Sequence, residues 1–204
     1  MTDVMNACRS IMNAAITPSV FLDEHLHGNR IACVDIETTN YLPKAFQGFV
    51  NIICIAIIDF HVDGYPTLHV HQVFNTTRNR DLVPFLVNRA LQHTDNVDTL
   101  LVFNKNFDIK ILQSLIDQHC IDRKIPGNII DLMERFRNLE MLEKTLFQLT
   151  GFKRVQTQKG KYDEYYAIFK GNRSGDTGKL EPIGSYNAID ALTPLCYYLL
   201  VPVP

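Results

Sequence analysis

Three short motifs that carry carboxylates lie far apart in this sequence. They are VDIETTN with Asp35 and Glu37, FNKNFDIKIL with Asp108, and SYNAIDAL with Asp190. Hard divalent cations take oxygen ligands, and carboxylates gathered at one place supply them. A fold that brings the three motifs together would therefore have a site suited to metal-dependent phosphodiester chemistry.

The residues around each motif predict the element that carries it. Residues 31–36 form an apolar run rich in β-branched residues, which predicts a buried strand. Side chains alternate between the two faces of a strand, so Asp35 and Glu37 should project to one face. Asp108 should lie in the first turn of a helix, and Tyr186 should lie one turn before Asp190 on one helix face.

Apolar runs and helical periodicity along the chain predict an α/β fold. Strands are expected at about 31–36, 50–60, 67–73, 99–103 and 128–131, and helices at about 79–93, 107–119 and 182–200, with a further helical region from Asp131 to Gly151. The order predicts a central mixed five-stranded sheet flanked by helices. The first three strands should form an antiparallel meander that turns at Asp63-Gly64. Pro194 should kink the last helix or make it restart with Thr193 as N-cap.

The three motifs together resemble the DEDD superfamily of 3′–5′ exonucleases, whose fold is RNase H-like. DIET, Asn-x-x-Phe-Asp and Tyr-x-x-x-Asp follow one another in that order over roughly residues 30–200. Ser185 occupies the place where one branch of the superfamily has a histidine, and Tyr186 occupies the place of the tyrosine in the other branch. The chain therefore resembles the tyrosine (DEDDy) branch. Within that branch it is most similar to the proofreading exonuclease of family B DNA polymerases and its stand-alone relatives.

The resemblance implies a metal-dependent 3′–5′ exonuclease with a two-metal mechanism that releases nucleoside 5′-monophosphates. Two Mg²⁺ or Mn²⁺ ions would be held by Asp35, Glu37, Asp108 and Asp190, with Asp35 between them. Tyr186 would complete the catalytic group by orienting the attacking water, because an unperturbed phenol titrates near pH 10 and makes a poor base.

Substrate contacts are implied for three residues near the acids. The resemblance places Asn104 and Phe107 against the 3′-terminal nucleotides, and we expect Thr38 to contact substrate as well. Phe107 could instead be a core residue.

Residues 151–180 carry seven Lys or Arg and three Asp or Glu, so 7 − 3 gives a local charge of +4 in a chain of net charge −2. This segment contains three tyrosines. It could bind along the phosphate backbone of a single-stranded nucleic acid and stack on its bases, or it could be a solvated loop whose aromatic residues dock onto the core.

Length and composition limit what else the chain can be. With 204 residues it has room for one well-buried domain, at 31–204, preceded by a helical lead-in at 1–30. No space remains for a polymerase, so proofreading or DNA repair would require a polymerase or repair partner. The five cysteines show no C-x-x-C spacing and predict buried free thiols. The absence of a long apolar run or a signal pattern predicts no membrane association and a cytoplasmic protein, or a nuclear one in a eukaryote.

Several functional alternatives stay open at this point. The chain could be a catalytically silent nuclease-fold accessory or interaction module, although the presence of all four acids favours an active enzyme. It could also be an RNA-directed exonuclease of RNase D type, a more distant match, or a structure-specific endonuclease on the same fold. The 3′ end of nucleic acid is the expected partner, and DNA is favoured over RNA, but no residue in the sequence identifies a contact to a 2′-hydroxyl.

Overall fold

The protein is described from a computed structural model, and the description covers residues 2–15, 26, 28–38, 52–76, 80–135, 144, 164, 167–172 and 174–200. The strands are β1 (Arg30–Thr38), β2 (Ile52–Asp63), β3 (Tyr65–Phe74), β4 (Thr99–Val102) and β5 (Ile129–Asp131). The helices are α1 (Thr2–Ala15), α2 (Val83–Leu91), α3 (Asp108–His119), α4 (Leu132–Arg135) and α5 (Glu181–Leu200). Short 3₁₀ turns precede α2, follow α2 and precede α5.

The five strands form one mixed sheet in the order β3-β2-β1-β4-β5. β1, β2 and β3 pair antiparallel, whereas β1 pairs parallel with β4 and β4 pairs parallel with β5. The turn between β2 and β3 is the single residue Gly64 at φ +77°, a conformation that glycine adopts without steric cost. The predicted five-stranded mixed sheet and its antiparallel meander are confirmed.

Helices cover both faces of the sheet because the side chains of β1 alternate. On one face Cys33 packs in a core with Ile11 of α1 and Leu195 of α5. On the other face Val34 packs in a second core with α2 and with Leu112 of α3. Leu112 is fully buried, and truncation of such a leucine typically costs about 2–5 kcal/mol. The predicted α/β layering is therefore the observed one.

The helix α1 belongs to the first of these cores. Its Ala7 and Ile11 are 5% and 1% exposed and pack with residues of α5. The boundary that separates a lead-in at 1–30 from a domain at 31–204 stays a prediction. None of the helices in the described ranges is long and apolar enough to cross a membrane.

α5 corrects one sequence prediction. It continues through Pro194 as one helix, and the Thr193 hydroxyl donates to the Ile189 carbonyl at 2.9 Å. Thr193 is therefore inside the helix, and the predicted restart with Thr193 as N-cap is wrong. The physical reason is packing, because Ala191 and Leu195 are fully buried in the core and keep this segment helical despite the missing proline N–H. The alternative, a kink at Pro194, stays a prediction.

Two further sequence predictions have mixed outcomes. Cys33, Cys54 and Cys196 are buried as predicted, whereas Cys8 is half-buried and Cys120 is exposed. Cys120 caps the C-terminal end of α3, where the chain leaves the helix with a left-handed φ of 50°. Of the helical region predicted from Asp131 to Gly151, the structure describes only the part up to Arg135 and residue 144. More than half of the basic segment 151–180 also lies outside the described residues. Within that segment Phe169 is 3% exposed and packs with Ile53, as the docking alternative predicted for its aromatic residues.

Candidate active site

β1 presents two carboxylates to the face that α5 covers. Asp35 lies opposite Ala56 of β2 and Glu37 lies opposite Cys54, and the pairing register shifts directly after Glu37. Both acids are half-buried. Alternation along β1 thus places the first two predicted ligands side by side, and the shift in register ends the regular ladder next to them.

The helices α3 and α5 hold the same peptide group of β1. Ile36 donates its N–H to the Oδ1 atom of Asp108 at 3.1 Å. The Nδ2 atom of Asn187 donates to the carbonyl oxygen of Asp35 at 2.9 Å and to its Oδ2 atom at 2.7 Å. The Asp35 carbonyl and the Ile36 N–H belong to one peptide bond, so one short stretch of β1 is fixed from both helices.

α5 adds an acid and a phenol to the same place. Asp190 and Tyr186 are 6% and 8% exposed and lie four residues apart on the helix. After burial, the charge of Asp190 is a further cause that raises the pKa of Asp35, Glu37 and Asp108, so the four carboxylates lie within electrostatic reach of one another. The structure therefore brings the four predicted acids into one region, and Tyr186 lies one turn before Asp190 on the same helix.

Burial and repulsion from neighbouring acids raise the pKa of Asp35, Glu37 and Asp108. Burial raises the pKa of Glu37 to about 8, with the charges of Asp190 and Asp108 as further causes. Burial also raises the pKa of Asp108 to about 8, although the Ile36 N–H partly offsets it. The pKa of Asp35 is raised by burial and then by the other three acids, while the Asn187 amide opposes the rise. Without a cation the cluster would thus hold protons at neutral pH.

The donor chemistry of this cluster fits Mg²⁺ or Mn²⁺. All four acids offer hard oxygen ligands, and a divalent cation would compensate the repulsion between their negative charges. A buried acceptor beside them, Oδ1 of Asn187, has no hydrogen-bond partner among the described residues. In the described part of the chain, however, no three His, Cys, Asp or Glu side chains are already arranged to hold an ion. The site supplies the ligand types, and the side chains would have to close around a cation.

The three residues predicted to bind substrate flank this cluster. Thr38 follows the register shift and is only 1% exposed. The carbonyl of Asn104 accepts from the backbone N–H groups of Phe107 at 2.9 Å and Asp108 at 3.2 Å, and so shapes the turn into α3. Phe107 is half-buried and packs against the core formed with α2 and α3. Their contact with substrate stays a prediction.

Sequence reasoning assigned no site role to Asn187 or Asp131. Asp131 ends β5 and is 7% exposed. Its Oδ2 atom accepts from the Lys105 N–H at 3.0 Å, and its Oδ1 atom accepts from the Met133 N–H at 2.9 Å. An aspartate between a strand and a helix is a recognisable N-cap signal, which could have identified the second contact. The first contact fixes the turn that leads to Asp108.

Replacement Asp131→Ala should lower the free energy of unfolding by about 1–3 kcal/mol, because two backbone N–H groups lose their acceptor. Urea denaturation followed by circular dichroism measures the change. The matched control is Asp122→Ala at an exposed aspartate, which should stay within about 0.5 kcal/mol of the unaltered protein. Equal stability of the Asp131→Ala variant and the control would contradict the assigned role.

Comparisons with known proteins agree with this fold. The family model of the RNase_H superfamily matches residues 32–197. Among solved structures, the family B DNA polymerase from the hyperthermophilic archaeon Pyrobaculum calidifontis superimposes with a TM-score of 0.54 at 17% sequence identity. The superposition covers 82% of this chain and 24% of the polymerase chain, and at this identity it shows a shared fold. No curated protein has a significantly similar sequence.

Proposed function

This chain belongs to the RNase_H superfamily, and from that premise we propose that it is a metal-dependent 3′–5′ exonuclease of the DEDDy type. One observation carries the proposal. Asp35 and Glu37 of β1, Asp108 of α3 and Asp190 of α5 form one cluster, in which burial and then the neighbouring acids raise the pKa of Asp35, Glu37 and Asp108. Carboxylates are gathered in this way at a cost to stability, which a bound cation would offset.

The four carboxylates are the proposed ligands of two Mg²⁺ or Mn²⁺ ions. Bound there, the ions would supply Lewis-acid polarisation of the phosphate and a more acidic water. The chain itself excludes bulk water, since Asp108, Tyr186 and Asp190 are all less than 10% exposed. The Tyr186 phenol orients the attacking water from its position one turn before Asp190.

Nucleic acid is the proposed substrate, with DNA favoured over RNA. The support is the shared fold with a family B DNA polymerase, of which this chain matches only about a quarter. That extent corresponds to one domain of a larger enzyme, so we propose that a polymerase or repair protein acts together with this chain. Asn104 and Phe107, in the turn before Asp108, and Thr38 after Glu37 are the proposed contacts to the 3′-terminal nucleotides.

Incubation with labelled nucleic acid tests this function. Single-stranded DNA, duplex DNA with a mismatched 3′ end and matching RNA, each labelled at the 5′ end, are incubated with Mn²⁺, with Mg²⁺ or with a chelator. An exonuclease yields a ladder that shortens from the 3′ end only when metal is present. A circular single strand is the control because it has no end. Cleavage of the circle would identify an endonuclease, and the absence of digestion of every substrate would refute the proposal.

Replacement Tyr186→Phe should lower the rate by about 10- to 100-fold, because the ring stays packed while the hydroxyl that orients water is lost. Mn²⁺ affinity measured by calorimetry should remain close to that of the unaltered protein. Tyr198→Phe is the control at a half-buried tyrosine of the same helix and should keep the full rate. A loss of Mn²⁺ affinity as large as that of Asp190→Asn would contradict the role of Tyr186.

A further inference from the structure

Asn187 is the most completely buried polar residue at the site, with 0% of its surface exposed. It lies on α5 directly after Tyr186 and three residues before Asp190. Its Nδ2 atom makes two hydrogen bonds, both to Asp35, at 2.9 Å to the backbone carbonyl and at 2.7 Å to Oδ2. Both donor hydrogens of the amide are thus committed to one predicted ligand.

The orientation of this amide follows from its partners. A backbone carbonyl only accepts hydrogen bonds, so the nitrogen of Asn187 and not its oxygen must face Asp35. The amide oxygen is left buried without a partner among the described residues. A buried unsatisfied acceptor costs about 1–3 kcal/mol, whereas an apolar side chain of similar shape would avoid that cost. The amide therefore keeps one oxygen buried without a partner while its nitrogen binds Asp35, and this contact with Asp35 is what an asparagine supplies at this position.

We propose that Asn187 is a positioning residue of the nuclease site, and this inference rests on the function proposed above. The hydrogen bond to Oδ2 holds the Asp35 carboxylate in one rotamer, and the carboxylate held in this way would be a ligand for a cation. The same contact fixes the distance between β1 and α5, so Tyr186 and Asp190 are placed relative to Asp35 by one amide. Hydrogen bonds that orient metal ligands in this way commonly change metal affinity or activity by about 10- to 100-fold when removed.

Metal binding and kinetics of an Asn187→Leu variant test the proposal. This change keeps the approximate volume and removes the donors. We expect Mn²⁺ affinity, measured by calorimetry on protein without nucleic acid, to fall about 10- to 100-fold. The rate with single-stranded DNA should fall and recover in part with excess Mn²⁺, while KM for DNA should stay within about twofold.

The matched control is Asn172→Leu. Asn172 is also buried, at 2% exposure, but its hydrogen bonds are local. Its Nδ2 atom donates to the carbonyl oxygen of Asp176 at 2.9 Å, and its Oδ1 atom accepts from the N–H of Asp176 at 3.1 Å. Its substitution should leave Mn²⁺ affinity unchanged. Unchanged affinity in the Asn187→Leu variant, or an equal loss in both variants, would overturn the proposal.

The positioning role can still be tested if the Asn187→Leu variant does not fold, and it can be separated from the exonuclease assignment. If the Asn187→Leu variant does not fold, the Asn187→Ala variant, which has no side-chain donor, is measured in the same way, and unaltered Mn²⁺ affinity there overturns the proposal. If the unaltered protein binds Mn²⁺ but digests no nucleic acid, the exonuclease assignment fails, whereas the effect of Asn187 on Mn²⁺ affinity still decides its positioning role.

Discussion

Replacement Asp35→Asn should reduce release of 3′ nucleotides by more than the roughly 100-fold that loss of an outer hydrogen bond can cause. Asp35 interacts with all three other acids, because after burial the charges of Asp108, Asp190 and Glu37 raise its pKa further. Asparagine keeps the volume and an acceptor for the Asn187 amide, so the lost negative charge is the main change. Initial rates with 5′-labelled single-stranded DNA and saturating Mn²⁺ measure the effect.

The matched control for this experiment is Asp59→Asn. Asp59 is also a buried aspartate of the sheet, 6% exposed, but it lies on the opposite face. There its Oδ2 atom accepts a hydrogen bond from the Arg30 guanidinium at 2.8 Å. The Asp59→Asn variant should retain the rate if circular dichroism shows it folded. Retained activity in the Asp35→Asn variant would place the chemistry elsewhere in the molecule.

The metal-free protein should lose stability as pH rises, and Mn²⁺ should reverse the loss. Ordinary Asp and Glu side chains release their protons near pH 4, whereas Glu37 and Asp108 in the folded chain have a pKa of about 8. Between these values the folded chain binds more protons than the unfolded chain, so the free energy of unfolding decreases as pH increases. The total loss should be of the order of several kcal/mol, complete above about pH 8.

Thermal unfolding with a chelator and with Mn²⁺ at about pH 6.5 and about pH 8.5 measures this effect. The stacked pair His71 and His93 cannot cause this loss of stability, because their pKa values in the folded chain are lowered chiefly by burial and their titration therefore makes stability rise with pH. Tm should fall with pH in the chelator, and the rise in Tm caused by Mn²⁺ should be larger at the higher pH. The Asp108→Asn variant should flatten both trends. A Tm independent of pH and Mn²⁺ in the unaltered protein would contradict the proposed metal cluster.

Local patterns were sufficient to predict the sheet and the helices that position the site. The β-branched run before Asp35 predicted β1, and alternation along a strand predicted that Asp35 and Glu37 share a face. Helical spacing placed Tyr186 beside Asp190. These features depend on residues that are near one another in the sequence, which is why the sequence alone reveals them.

Features that depend on tertiary contacts could not be predicted in the same way. Asn187 acts on Asp35 across 152 residues, and Asp131 acts on the Lys105 N–H across 26 residues. Propensity at each position contains no information about such a partner. Pro194 is a further example. A proline inside a helix locally favours an end or a break, but burial of this helix against the sheet outweighs that preference.

The peptide bond of β1 that α3 and α5 both hold determines the stage of folding at which the site forms. Its two side-chain partners lie 72 and 152 residues along the chain from β1. Contacts between such distant residues form late, because the entropy of closing long loops must first be overcome. A growing or partly unfolded chain would have the acids but not their arrangement, so hydrolysis at this site would be confined to molecules whose last helix has docked.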